Sequence, residues 1–191
     1  QTKVGLVGVV QQNYPLFEHL NVLKNLEVAA KKVFKNKSER TEKIDHYLNR
    51  FRLSDKKDLY PAELSGGQRQ RVAIIQQLLC SLNFLLLDEP FSGLDVNMVN
   101  EVCELIDEIA SLNELTTIII VSHDITSTAL ISDTLWLMGR DHDTEGKVIP
   151  GSKIKYVYDM IELGLAWRKD EHTDPVFINL VNEIKEKFPH L

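Results

Sequence analysis

Residues 84–90 read FLLLDEP: four apolar positions, then two acids and a proline. An unbroken apolar run of this length predicts a strand of a parallel sheet covered on both faces, because a half-exposed strand would alternate with polar residues. Asp88 and Glu89 then stand at the carboxyl edge of the sheet, where open α/β folds gather their ligands. One acid in such a place can hold a divalent cation. Its neighbour can orient or deprotonate a water that attacks a phosphate. Strands also end in acids by chance, so the surrounding pattern has to decide.

Downstream, the spacing predicts a helix over 96–111, an apolar strand over 117–121, a short helix from Asp124 and a strand over 134–138. This β-α-β-α-β alternation gives the fold class as α/β, a three-layer domain on a largely parallel sheet. Upstream, VGLVGVV (4–10) reads as a short buried strand that ends in Gln11-Gln12-Asn13. From Asn21, Val22, Leu26, Ala29, Ala30, Val33 and Phe34 recur at helical spacing. A second helix follows Ser38 as N-cap, with Ile44, Leu48 and Phe51 on one face. Tyr60-Pro61 breaks the pattern, and Gly66-Gly67 opens a third helix that runs to about Leu79. The expected organisation is a leading strand (1–12), a helical subdomain (13–82), an α/β core (83–150) and a C-terminal extension (151–191). Residues 141–155 read as a polar loop, and Asp174 onward as a closing helix.

Composition narrows the function. The 191 residues carry a net charge of -6, with 43% hydrophobic and 26% charged residues. That is ordinary for a globular domain and leaves no basic footprint, so no nucleic acid is expected as a partner. Cys80 and Cys103 show neither metal-ligand nor redox spacing. No apolar run approaches the length of a membrane span, so service to a membrane would come from its aqueous side.

A second stretch, LSGGQRQRV at 64–72, bears on the chemistry. Two glycines at a helix start let backbone N–H groups approach an anion, and Ser65 adds a hydroxyl donor. The alternative is a Ser-Gly-Gly turn with a simple N-cap.

Order along the chain separates these readings. Gln12 follows a strand, and then come LSGGQRQRV, FLLLDEP, SGLD at 92–95 and VSHD at 121–124. This set resembles the nucleotide-binding subunit of an ABC transporter over about residues 8–140. The resemblance implies a partial P-loop NTPase core with an inserted helical ABC subdomain. It assigns Gln12 to the Q-loop, Ser65, Gly66, Gly67 and Gln68 to the signature motif, Asp88 and Glu89 to Walker B, Asp95 to the D-loop and His123 to the switch. It further implies ATP and Mg²⁺ as cofactors, with Mg²⁺ on Asp88 and sensed by Gln12, and with Glu89 as the general base. His123 would contact the γ-phosphate, and the signature residues would contact ATP held by a second nucleotide-binding subunit, most simply a homodimer. The other partners would be transmembrane permease subunits, with the protein peripheral on the cytoplasmic face of the membrane. Glu18 stands where many relatives have proline, and Ile75-Gln76-Gln77-Leu78 departs from a common pattern containing arginine.

One family element is missing from these residues. Walker A, G-x-x-x-x-G-K-[ST], cradles phosphates with backbone N–H groups and a lysine. The nearest imitation, GKVIPGSK at 146–153, transposes the serine and lysine and follows His123. It reads as a surface turn. Gln12 has only 11 residues before it, and the chain opens on Gln1. The expectation is therefore a truncated subunit without Walker A, inactive in ATP hydrolysis alone, with exposed apolar surface and unpaired strand edges that favour self-association.

Two rival functions are a non-transport ABC ATPase and a non-enzymatic interaction module. The interval from Gln12 to Ser65 (65 − 12 = 53 residues) leaves no room for a long coiled-coil insertion. Glu89 and His123 argue against a pure adaptor. Asp141-His142-Asp143-Thr144-Glu145 reads as a solvated acidic loop. His19, His46, His172 and His190 read as structural or surface residues, Trp136 and Trp167 as core or subdomain contacts, and Cys80 as a small buried hydrophobe.

Overall fold

The computed structural model describes residues 7–80, 83–112, 116–167 and 174–191, which fall into two compact units, 1–122 and 123–191. In the first, β1 (Val7–Val10), β2 (Phe84–Asp88) and β3 (Thr117–Val121) form a parallel sheet in that order. Val10 lies opposite Leu87, Leu87 opposite Ile120, and Asp88 opposite Val121. The strand of FLLLDEP is thus central, with Asp88 at its carboxyl end.

Successive side chains on a strand point to opposite faces, and here the two faces differ. Gly8, Val10, Leu85 and Leu87 are buried. Val7, Val9, Phe84, Ile119 and Val121, on the other face, are 42–52% exposed. The expectation that Phe84–Leu87 is covered on both faces is corrected. An apolar run records that both faces suit an apolar environment, whereas the helices of this unit bury only one of them, with α3 (Gly66–Leu78) packed on β1.

The helical segment between β1 and β2 also holds α1 (Val22–Ala30) and α2 (Lys37–Arg50), with α1 packed against both α2 and α3. Asn21 caps α1 by accepting the N–H of Lys24 at 3.0 Å. That helix stops at Ala30, short of the apolar pattern that runs on to Phe34, because the chain tightens into a turn with Val33 N–H donating to Ala30. The second cap is Asn36, not Ser38: the Asn36 side chain accepts the Ser38 N–H at 2.8 Å, and the helix starts at Lys37, two residues earlier than a Ser38 cap would place it. Asn25, fully buried, anchors the loop after Gln12. Its Oδ1 accepts from Phe17 N–H at 2.8 Å, and its Nδ2 donates to the carbonyls of Phe17, Leu20 and Asn21. After β2, α4 (Val96–Leu112) buries Val102, Leu105, Ile106 and Ile109.

The second unit starts with α5 (Ile125–Leu130), N-capped by Asp124. Then β4 (Thr134–Gly139) pairs antiparallel with β5 (Lys153–Asp159), and α6 (Pro175–Lys187) closes the chain. Ala129, Met160, Leu165, Phe177 and Val181 form one core cluster, and Leu135, Leu137 and Ile184 a second. Two expectations change here. The strand at 134–139 does not extend the parallel sheet, and residues 153–155 belong to a strand rather than to a loop. Its residues are exposed or half-buried throughout, and Lys153 and Lys155 reach Asp141 as ion-pair partners.

Trp136 is 56% exposed, on the hairpin face opposite Leu135 and Leu137, and so is not a core residue. Trp167 is half-buried and donates its indole N–H to Asp133 at 2.7 Å. Cys80 is half-buried, and that burial raises its thiol pKa. The Walker A imitation is an exposed turn closed by Gly146 (φ 80°) that runs into β5, which is not the strand-to-helix setting a phosphate loop requires. His172 lies outside the described residues.

Candidate functional site

β2 delivers Asp88 to the sheet edge as an exposed side chain, and Glu89 follows with φ of 50°. That left-handed backbone costs a residue with a Cβ about 1–2 kcal/mol. Hydrogen bonds hold it in place. Glu89 N–H donates to Val121 O at 2.8 Å, and Glu89 O accepts from Ser92 N–H at 3.2 Å. The Ser122 hydroxyl donates to Glu89 Oε2 at 3.4 Å, and Gln70 Nε2 donates to Pro90 O at 3.1 Å. Strain maintained by its surroundings points to a functional residue, since folding alone would relieve it.

Gln12 lies just beyond β1, the strand beside β2, so it and Asp88 share one sheet edge. Its Nε2 donates to Ser92 Oγ at 3.0 Å, which ties it to the turn that carries Glu89. Among the described residues no group of three His, Cys, Asp or Glu could hold a metal ion. One carboxylate with a neighbouring amide nevertheless fits a magnesium ion, which takes most of its ligands from water and substrate phosphates.

At the start of α3, Ser65 Oγ accepts the N–H of Gln68 at 3.3 Å, and Gln68 Oε1 accepts the N–H of Ser65 at 3.0 Å, a reciprocal capping box. The cap leaves Ser65 its own O–H as a donor, and the first-turn N–H groups of Gly66 and Gly67 have no intrahelical partner. The glycines themselves are decisive. A Cβ on Gly66 would meet nothing within 4 Å, and one on Gly67 would touch only Met98 Cε at 3.7 Å. Neither has a positive φ. Internal packing and backbone conformation therefore require no glycine at either position. Without a side chain, both leave the start of α3 open to close approach by another group.

Asp95 Oδ1 accepts the Met98 N–H at 3.0 Å and so starts α4. His123 is exposed, lies between β3 and α5, and opens the second unit.

The profile of the family described as "ABC transporter" matches residues 3–92. The glutamate/aspartate import ATP-binding protein GltL of Escherichia coli (strain K12) is 38% identical over 154 residues, which cover 80% of this chain and 61% of that protein. The Fe(3+) ions import ATP-binding protein FbpC of Fusobacterium nucleatum is 38% identical over 132 residues, 69% of this chain and 35% of that one. Among solved structures, cbiO1 from Clostridium perfringens, described as part of the ABC transporter complex cbiONQ, superposes with a TM-score of 0.70 at 26% identity. That match covers 97% of this chain and 65% of the other.

The chain carries an ABC ATP-binding domain.

It spans about three fifths of the length of GltL. The ABC profile takes in Gln12, Ser65–Gln68, Asp88 and Glu89, and the structure joins Gln12, Asp88 and Glu89 at one sheet edge. Three further residues at this site, Gln70, Ser92 and Ser122, lie inside the stretches LSGGQRQRV, SGLD and VSHD, which assign them no role of their own. Gln70 left a signal in the sequence, a polar residue on the helix face that also carries Ala73 and Ile74. Ser92 and Ser122 left none, because their contacts depend on how the turn after β2 folds back.

Proposed function

We propose that this chain is the ATP-hydrolysing part of an ABC transporter subunit that powers solute movement across a membrane. The observation that carries the proposal is Glu89, held in a left-handed conformation beside Asp88 at the carboxyl edge of the parallel sheet. In this reading Glu89 accepts a proton from, or orients, the water that attacks the γ-phosphate. Asp88 and Gln12 hold Mg²⁺, which when bound neutralises charge on the phosphates. His123 contacts the γ-phosphate. Ser65, with the N–H groups of Gly66 and Gly67, serves ATP bound to a second copy, the approaching outside group that these glycines leave room for. Asp95 lies at that same dimer contact.

The 191 residues contain no G-x-x-x-x-G-K-[ST] segment, so by themselves they are expected not to turn over ATP. The membrane partners are permease subunits, consistent with cbiO1 as part of a transporter complex. No helix among the described residues is long and apolar enough to cross a membrane, which fits a peripheral subunit on the cytoplasmic face. The solute's identity does not reside here, because relatives equally similar to this chain are named for glutamate/aspartate and for Fe(3+). The non-transport alternative is disfavoured by the segment between Gln12 and Ser65. It holds α1, α2 and two short 3-10 turns and no coiled coil.

The test is Glu89→Gln in the assembled transporter. It removes the base while keeping the side chain's shape. The turnover number for ATP should fall by a factor on the order of 10² to 10⁴ with ATP binding retained. Undiminished turnover would reject the assignment.

A further inference from the structure

Gln70 is 1% exposed on α3, five residues beyond Ser65, with Val72, Ala73, Ile74 and Ile75 buried beside it in sequence. An amide so deeply buried is costly unless it is hydrogen-bonded. Its Nε2 donates to the carbonyl oxygen of Pro90 at 3.1 Å. Pro90 immediately follows Glu89, the residue with φ of 50°. Contacts that hold this turn also come from β3 and the residue after it, through Val121 O and the Ser122 hydroxyl, from the turn's own Ser92 N–H, and from Gln12, whose amide donates to Ser92 Oγ. Gln70 contributes from a different element. At about 1.5 Å of rise per residue, its position is about 7.5 Å along the helix axis from the capped end that carries Ser65, Gly66 and Gly67.

We propose that Gln70 is a positioning residue for Glu89. It fixes the Pro90 carbonyl, and with it the strained turn, to the helix whose N-terminus carries the signature motif. One subunit's signature helix and its own hydrolytic carboxylate then move as a unit. A displacement of that helix when it meets ATP on a second copy reaches Glu89 through a single buried hydrogen bond. This inference rests on the role of Glu89 proposed above.

The experiment compares steady-state ATP hydrolysis by the assembled transporter carrying Gln70→Met, Gln70→Glu, Glu89→Gln and the double variant Gln70→Met/Glu89→Gln. Methionine keeps the length of the side chain and removes the N–H donor. Because small misplacements of a catalytic group are expensive, Gln70→Met should lower kcat about tenfold while KM for ATP stays within about twofold. Gln70→Glu sets a carboxyl oxygen against the Pro90 carbonyl and should lower kcat at least as far, which preserves the test if the methionine variant folds poorly. In the Glu89→Gln background the Gln70→Met change should cause no further fall, since both act through one carboxylate.

A Gln70→Met or Gln70→Glu protein with full kcat overturns the inference, whatever its melting temperature. So does a Gln70→Met loss of the same factor with and without Glu89, because a merely structural amide would act independently of it. If Glu89→Gln alone hydrolyses ATP at the normal rate, the assignment of the base has failed. If Glu89→Gln is inactive while the Gln70 variants are fully active, only the positioning role has failed.

Discussion

Glu89 offers a measurement of stored strain that needs no nucleotide. Replacing it by glycine relieves a left-handed conformation worth about 1–2 kcal/mol. It also adds unfolded-state freedom that costs about 0.5–1 kcal/mol. Replacing it by alanine keeps the strain. Both substitutions remove the 3.4 Å hydrogen bond from Ser122, a half-exposed contact worth about 0.5 kcal/mol. The expected order is therefore Glu89→Gly more stable than Glu89→Ala by about 0.5–1 kcal/mol. In an ordinary strand or helix, alanine would lead by a similar amount. Urea unfolding of the 191-residue chain reads this directly, since a slope of about 1–3 kcal/mol per molar turns that difference into a midpoint shift of a few tenths molar. The glycine protein should combine stability near or above that of the parent with loss of the carboxylate proposed as the hydrolytic base, the trade expected of a strained functional residue. An alanine variant as stable as the glycine variant would show that the backbone at this position bears no strain, and the step from strain to function would fail.

Other substitutions test other parts of the account. Gly66→Ala should leave stability unchanged or raise it by up to about 1 kcal/mol, because its Cβ meets nothing within 4 Å and alanine is the better helix former. The assembled transporter carrying it should nevertheless lose ATP turnover, whereas a thermal destabilisation would mean that the glycine serves internal packing. Leu85→Ala should cost about 2–5 kcal/mol and Val121→Thr no more than about 0.5 kcal/mol in chemical denaturation, because one lies on the buried sheet face and the other is 52% exposed. Asp141 has its carboxyl pKa held at about 2 by hydrogen bonds from Lys153 and Lys155. The unfolded chain titrates near 3.9, roughly. The folded value is the lower one, so this contribution is complete above about pH 4 and fades as pH falls toward 2. Asp141→Asn should flatten that acid limb in unfolding followed by tryptophan fluorescence, and an unchanged limb would count against the pairing.

Much of this fold was legible because the decisive signals are local. The β3 boundaries follow from an apolar run that polar residues delimit, and α1, α5 and α6 start at Asn21, Asp124 and Asp174, side chains that cap helices wherever they precede them. Burial was less legible. FLLL looks the same whether one or both faces of its strand are covered, because cover is supplied by segments distant in sequence. β5 was missed because it has no buried face to alternate: Lys153–Asp159 are exposed or half-buried throughout, and Lys153 and Lys155 pair their charges with Asp141. At the site, order and spacing indicated Gln12, Asp88 and Glu89. The sequence could not indicate the left-handed turn at Glu89, or that Gln70 reaches the carbonyl after it, since both arise only when α3 packs against the sheet edge.

In the proposed mechanism, Glu89 acts on ATP bound to its own subunit while Ser65–Gly67 act on ATP bound to a second copy. Mixing two inactive subunits tests it most directly. One carries Glu89→Gln with an intact signature, and the other carries Gly66→Asp with an intact Glu89. In the mixed dimer, head-to-tail pairing places the intact signature against the site that retains Glu89, so ATP hydrolysis should reappear at a substantial fraction of the normal rate. Hydrolysis that stays at the level of the two parents, in a mixture shown to form the mixed dimer, would contradict the account.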